Sequence, residues 1–207
     1  MRAIEGILFE PVGCLAEFPA EPFHEIAFHL FGGRKKTGKS ASRAYWHLLN
    51  LLEASGRHRE IPEELELMAV AHAQLYEDVP PALAELKSMG VTLLLTSSLS
   101  RVAIRCFLER FFLSAFFTEV WTRDCAGGIK AAPLERAVEA SSLNPQATMF
   151  LTDTAEGLKV AASARVAPVL MMNDPDEAKR LAMHEPAGGI VSLHELPDFV
   201  RLVAARA

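Results

Sequence analysis

The stretch Ile4-Glu5-Gly6-Ile7-Leu8-Phe9-Glu10-Pro11-Val12-Gly13-Cys14-Leu15 decides how this chain is read. Residues 4–9 form a short apolar run that ends on an acidic residue and enters a glycine-containing turn. A parallel α/β protein presents a carboxylate in this way, at the C-terminal end of a buried strand. Glu10 is therefore the first candidate site residue, and the rest of the chain is tested against that placement.

From about residue 79 onward, helical periods alternate with short apolar runs. Helices are predicted over residues 80–89, 100–113, 133–140 and 155–164. Strands are predicted over residues 91–96, 118–122, 148–151, 167–171 and 189–191. Strands alternating with helices of about ten residues predict a parallel sheet wound on both faces. Apolarity that runs continuously along the strands fits burial of both sheet faces. Residues 16–77 break the rhythm. Phe23, Ile26, Leu30 and Phe31 lie at helical spacing, as do Tyr45, Leu48, Leu49 and Leu52, then Leu65, Met68, Ala69 and His72. No strand is legible among them. The fold class is α/β, a Rossmannoid core over residues 1–15 and 78–207 with an all-helical cap inserted at 16–77.

These elements carry a resemblance. The opening stretch is similar to the Phe-Asp-x-Asp-Gly-Thr-Leu motif of the haloacid dehalogenase-like hydrolases, in their helical-cap, phosphatase-like branch. Glu10 stands at the nucleophile position and Val12 at the general acid/base position. The second motif, a strand ending in Ser or Thr, matches Leu93-Leu94-Leu95-Thr96-Ser97. The third, a Lys before a helix begun by Pro, matches Gly128-Ile129-Lys130-Ala131-Ala132-Pro133. The fourth, typically Gly-Asp-Ser-x-x-Asp, reads Thr152-Asp153-Thr154-Ala155-Glu156-Gly157 and keeps only its first Asp.

The resemblance implies a set of roles. In the family a carboxylate attacks phosphorus and splits hydrolysis into two steps. Mg²⁺ would be held by Glu10, the Val12 carbonyl and Asp153. Thr96, Ser97 and Lys130 would hold the phosphate or another anion. Val12 cannot act as a general acid or base. Glu is one methylene longer than Asp, and misplacing a reacting atom by about 1 Å costs on the order of a hundredfold. Losing the acid/base group costs roughly another 10²–10⁴-fold. Together these take a typical turnover of about 10 s⁻¹ down to roughly 10⁻³ to 10⁻⁵ s⁻¹. The expected function is thus a hydrolase-family protein that binds a small anionic or phosphorylated metabolite, or a partner, with little or no turnover. The alternative is an active phosphatase or dehalogenase-like enzyme that uses Glu10 with Mg²⁺.

Composition sets further bounds. The formal net charge of −5 argues against a broad nucleic-acid surface, which needs clustered excess Lys and Arg. No apolar run reaches the roughly eighteen residues of a membrane helix, and no signal peptide is evident. Cys14, Cys106 and Cys125 are scattered, which favours a reducing compartment, with the cytoplasm as the default. The oligomeric state is not legible.

Two other motifs compete for attention. Gly33-Arg34-Lys35-Lys36-Thr37-Gly38-Lys39-Ser40 matches the nucleotide-binding P-loop pattern, but a P-loop follows a buried strand and residues 23–31 have helical periodicity. A basic cap loop is the simpler reading, with Arg34, Lys35, Lys36 and Lys39 as candidates to face the cleft. His24 and His29 are five residues apart, which turns their imidazoles about 140° from each other on a helix and argues against zinc. Asp153 has a second possible role, as the cap of the helix that follows it.

Overall fold

The computed structural model describes residues 4–33, 40–173 and 175–205. In chain order, β1 (Gly6–Phe9) and β2 (Ala16–Glu17) lead to α1 (Glu21–Phe31), α2 (Ala41–Ser55) and α3 (Glu63–Ala71). Then come β3 (Gln74–Leu75), α4 (Val79–Ser88), β4 (Thr92–Ser97), α5 (Arg101–Arg110) and β5 (Glu119–Thr122). The chain continues through α6 (Arg123–Ala126), α7 (Ala131–Ala140), β6 (Thr148–Thr152), α8 (Ala155–Ser163) and β7 (Ala167–Met171). It closes with α9 (Pro175–Leu181), β8 (Gly188–Ile190) and α10 (Leu196–Ala205).

The predicted parallel sheet is present, in the order β5-β4-β1-β6-β7-β8. Every residue of β1 and β6 is buried, as their unbroken apolarity requires in a sheet covered on both faces. From β1 the chain fills one side of the sheet through β4 and β5, then returns to the other side through β6, β7 and β8. The C-terminal end of β1 is therefore the switch point, where open α/β sheets form their crevice. Phe9 pairs with Leu95 on one side and Leu151 on the other, so Glu10 emerges between Thr96 and Thr152.

The inserted segment is helical with one addition. β2 and β3 pair antiparallel at its root, Ala16 with Leu75 and Glu17 with Gln74. Strands of two residues are too short to show a period in sequence, which is why none was legible. Helix ends follow local chemistry. Ser40 caps α2 by accepting from the Arg43 N–H at 3.3 Å, and Gly56 ends it in the left-handed conformation. α5 stops at Arg110, short of the predicted Leu113, because Phe112 turns to φ 56°. Phe112, which the predicted helix would have included, is consequently 87% exposed.

Cap and core share one interior. A single apolar cluster joins Phe23, Leu49 and Leu52 of the inserted helices to Ile7, Leu94, Phe107 and Leu151 of the core. Phe18, beside the β2–β3 ribbon, stacks on Phe107 of α5 at 5.6 Å between ring centroids. A buried ion pair also crosses the boundary: Arg123 of α6 bonds Glu66 of α3, and both side chains are largely buried. The second Glu66 oxygen accepts from the Ser100 N–H at 3.2 Å, and Arg123 also donates to the Ser98 carbonyl at 3.2 Å. Among the described residues no helix is long and apolar enough to cross a membrane.

Removing one member of a buried pair leaves the other charge uncompensated, at a cost of about 3–5 kcal/mol. Arg123→Ala is therefore expected to lower unfolding stability by that amount in urea titrations. Arg136→Ala, which breaks the solvent-exposed pair with Glu139, should change it by less than about 1 kcal/mol.

Candidate active site

Three strand ends meet at the switch point. β1 delivers Glu10, β4 delivers Thr96 and Ser97, and β6 delivers Asp153 one residue beyond its end. The turn after Glu10 is tight: the Leu15 and Ala16 N–H groups both reach the Pro11 carbonyl at 3.1 Å. Gly13 sits in this turn at φ +80°, and a Cβ there would overlap both the Asp153 carboxylate and the Ser42 hydroxyl. Glycine is needed here on both counts.

Helix α2 lies across these strand ends and touches each motif position. Ser42 donates to Asp153 Oδ2 at 2.6 Å. The Tyr45 hydroxyl lies 3.5 Å from Ser97 Oγ. Trp46 bounds the same small void as Glu10, and its indole opposes the rise of the Glu10 pKa. Glu53 accepts from Lys130 Nζ at 2.6 Å. At 100° per residue, Ser42, Tyr45, Trp46 and Glu53 fall within an arc of about 100° on one face of the helix. Tyr45 and Trp46 are buried, whereas the Glu53–Lys130 pair is partly solvated and correspondingly weaker.

Little space remains beside Glu10. The void bounded by Glu10, Trp46, Thr96, Ser97, Ser98 and Lys130 measures about 10 Å³, room for about one water. A larger opening, about 380 Å³, is lined by Gly13, Ser42, Tyr76, Asp153, Met172 and Asn173 among others, and Glu10 is not among its lining residues. Lys130 holds a strained backbone at φ 60°, pinned by its N–H to Ser98 Oγ at 2.7 Å.

The electrostatics follow from burial. Glu10 is 4% exposed, and its Oε2 has no hydrogen-bond partner among the described residues. Burial first, and the nearby Asp153 carboxylate second, push its carboxyl well above the ordinary carboxylate range; the Trp46 indole opposes them only in part. The same burial and the same two acids push the Cys14 thiol up. Cys14 is fully enclosed with its Sγ 3.6 Å from the Leu151 carbonyl, so it is a packed thiol rather than a nucleophile.

The fourth motif is rebuilt around its missing acid. Thr154, not Asp153, caps α8 by accepting from the Gly157 N–H at 3.1 Å. A Cβ at Gly157 would overlap the Thr152 hydroxyl. The family places Gly where Thr152 stands and Asp where Gly157 stands, so the two changes fit each other sterically.

The space at Glu10 does not fit the hydrated Mg²⁺ that the resemblance implies. Asp153 Oδ2 accepts from Ser42 and from Asn173 Nδ2 at 3.2 Å, while Asp153 Oδ1 and Glu10 Oε2 are buried with no hydrogen-bond donor among the described residues. Mg²⁺ keeps several waters, yet the void at Glu10 holds about one and is not the opening that Asp153 lines.

The remaining sequence candidates separate cleanly. Arg34, Lys35, Lys36 and Lys39 lie outside the described residues. The P-loop match follows helix α1 instead of a strand, so its structural requirement is unmet. His24 is buried and His29 is exposed on the same helix, as their angular separation demands. Asp124 accepts from the Arg101 N–H at 2.7 Å, at the start of α5. Sequence reasoning missed Ser42, Trp46, Glu53 and Asn173. Ser42, Trp46 and Glu53 share a signal, a polar and aromatic stripe on the Tyr45 face of α2, but nothing local said what it faces; Asn173, beyond β7, carried none.

The family model for haloacid dehalogenase-like hydrolases matches residues 3–165. No curated protein sequence matches the chain. Among solved structures, a haloacid dehalogenase-like family hydrolase from Streptococcus pneumoniae superposes with a TM-score of 0.72 at 17% identity, covering 96% of this chain and 99% of that one. A predicted phosphoglycolate phosphatase from Haemophilus somnus gives a TM-score of 0.70 at 16% identity, covering 96% and 99%. L-2-haloacid dehalogenase from Xanthobacter autotrophicus gives 0.64 at 15% identity, covering 96% and 98%. The fold is common to all of these, and with the family match over most of its length the chain belongs to the haloacid dehalogenase-like hydrolases.

Proposed function

We propose that this chain is a hydrolase-family protein with little or no phosphoryl or dehalogenase turnover, its reaction centre covered by its own helix α2. The observation that carries this reading is the stripe of Ser42, Tyr45, Trp46 and Glu53 on the four motif positions. A nucleophilic carboxylate must be ionised, and burial beside Asp153 favours the protonated form of Glu10. Val12, at the general acid/base position, is itself buried in the core cluster and has no group that could transfer a proton.

A small anionic or phosphorylated molecule remains the ligand class suited to Thr96, Ser97 and Lys130. It would reach them only by moving Trp46 and drawing Lys130 away from Glu53. The three cysteines are all unpaired thiols, which supports a reducing compartment such as the cytoplasm.

Turnover is measured with a panel of phosphoesters and 2-haloacids in the presence of Mg²⁺. The expected kcat lies below about 10⁻³ s⁻¹ on every substrate; robust turnover that Glu10→Ala abolishes would overturn the proposal. Rebuilding the motifs with Glu10→Asp, Val12→Asp and Gly157→Asp should succeed only when Thr152→Gly is added, because a side chain at 157 meets Thr152.

The Glu10 carboxyl also sets a pH dependence. Its folded-state pKa is raised, so the native protein binds a proton there that the unfolded chain releases. That contribution is complete below the ordinary Glu range and is lost as pH rises toward the folded value. Wild type and Glu10→Gln should therefore be most closely matched below about pH 4. As pH rises above that, wild type should lose stability relative to the variant, read from denaturant titrations at each pH; a difference that does not change with pH would contradict the raised Glu10 pKa.

A further inference from the structure

Asp153 stands where hydrolytic relatives hold a cation, yet its surroundings are those of a docking point for the cap. Its Oδ2 accepts the Ser42 hydroxyl at 2.6 Å, a short bond of the charge-assisted kind. Asn173, just beyond β7, spans the same corner: its Nδ2 donates to Asp153 Oδ2 at 3.2 Å and to the Gly13 carbonyl at 2.7 Å. Ser42 lies in the first turn of the fifteen-residue α2, whose N-terminal end further favours a carboxylate. Gly13 makes the approach possible, since any side chain there would displace Ser42 and Asp153 together. Asp153 is not needed elsewhere, because Thr154 caps α8.

We infer that Asp153 is the anchor that holds the cap on the core: Ser42 and Asn173 hold its Oδ2, Gly13 leaves room for their approach, and the space that remains between Asp153 and Glu10 is too small for a hydrated cation, so that cap closure and metal binding at Asp153 exclude each other. This goes beyond the absence of turnover, since a catalytically silent protein could still bind Mg²⁺ at an open site. A cation bridging Asp153 and Glu10 would meet Oδ1 and Oε2, which have no donor among the described residues, but it would have to move Trp46, which bounds the space there. It would also have to open the roughly one-water void at Glu10 to admit its hydration shell.

The test uses the full chain and two readouts. Free Mn²⁺ is followed by electron paramagnetic resonance, with Mg²⁺ calorimetry in parallel. Amide hydrogen exchange is followed along α2. Wild type is expected to show no saturable Mn²⁺ or Mg²⁺ binding up to about 10 mM. Ser42→Ala is expected to speed exchange in α2 by about tenfold or more while leaving β1, β4 and β6 unchanged, as loss of one charge-assisted bond predicts. Saturable metal binding by wild type that Asp153→Asn removes would overturn the inference, and so would α2 exchange unaltered by Ser42→Ala. The wild-type metal titration decides the matter even where the variant fails to fold. A turnover assay on the same wild-type sample separates this result from the question of activity: metal binding without turnover sinks the anchor and leaves the silent-hydrolase reading standing.

Discussion

Two acidic residues at the C-terminal edge of one parallel sheet are the constraint on which the rest of this structure depends. β1 and β6 are neighbours in register, so Glu10 and Asp153 are brought together by the sheet itself. Two carboxylates in a buried setting repel each other and each loses its hydration, a cost that must be met by a cation, a proton or hydrogen-bond donors. Here the donors come in part from within: Ser42 and Asn173 reach Asp153 Oδ2 and a proton is favoured on Glu10, while Asp153 Oδ1 and Glu10 Oε2 keep no donor among the described residues. The cap, through Ser42, is therefore part of the electrostatic solution.

Packing reinforces the same arrangement. The interior runs without a break from the inserted helices into the sheet, and Arg123 meets Glu66 in a buried pair across the boundary. A lid that opens on each catalytic cycle would have to expose this apolar surface and strand that pair. Elements that move in function are drawn from weakly packed regions, and α2, with Tyr45, Trp46, Leu48, Leu49 and Leu52 all buried, is not one of them. Thr152 and Gly157 tell a matching story at the fourth motif, where the residue that replaces the family glycine fills the space an acidic side chain would need.

Much of this was legible in the sequence, and the division has a physical basis. Strand and helix order could be read because buried parallel strands are continuously apolar and helices repeat every 3.6 residues. Glu10, Thr96, Lys130 and Asp153 could be placed because each ends or follows such an element. The β2–β3 ribbon escaped because two residues carry no period, and the exposure of Phe112 escaped because a backbone turn, not its hydrophobicity, put it outside. Ser42, Trp46, Glu53 and Asn173 escaped for a different reason. Their partners lie between twenty and more than a hundred residues away along the chain, brought together by the docked helix for Ser42, Trp46 and Glu53 and by the pairing of β6 with β7 for Asn173. The sequence thus carried the altered motifs openly and their compensation only implicitly.

The measurement that bears most directly on the closed site is a crystal structure of the full chain grown or soaked with Mg²⁺ and a phosphate mimic such as tungstate. The account predicts α2 seated on the strand ends, with Ser42 on Asp153, Trp46 on Glu10, and no density between the two acids. A metal ion or oxyanion bridging Glu10 and Asp153, with Trp46 swung away, would contradict it.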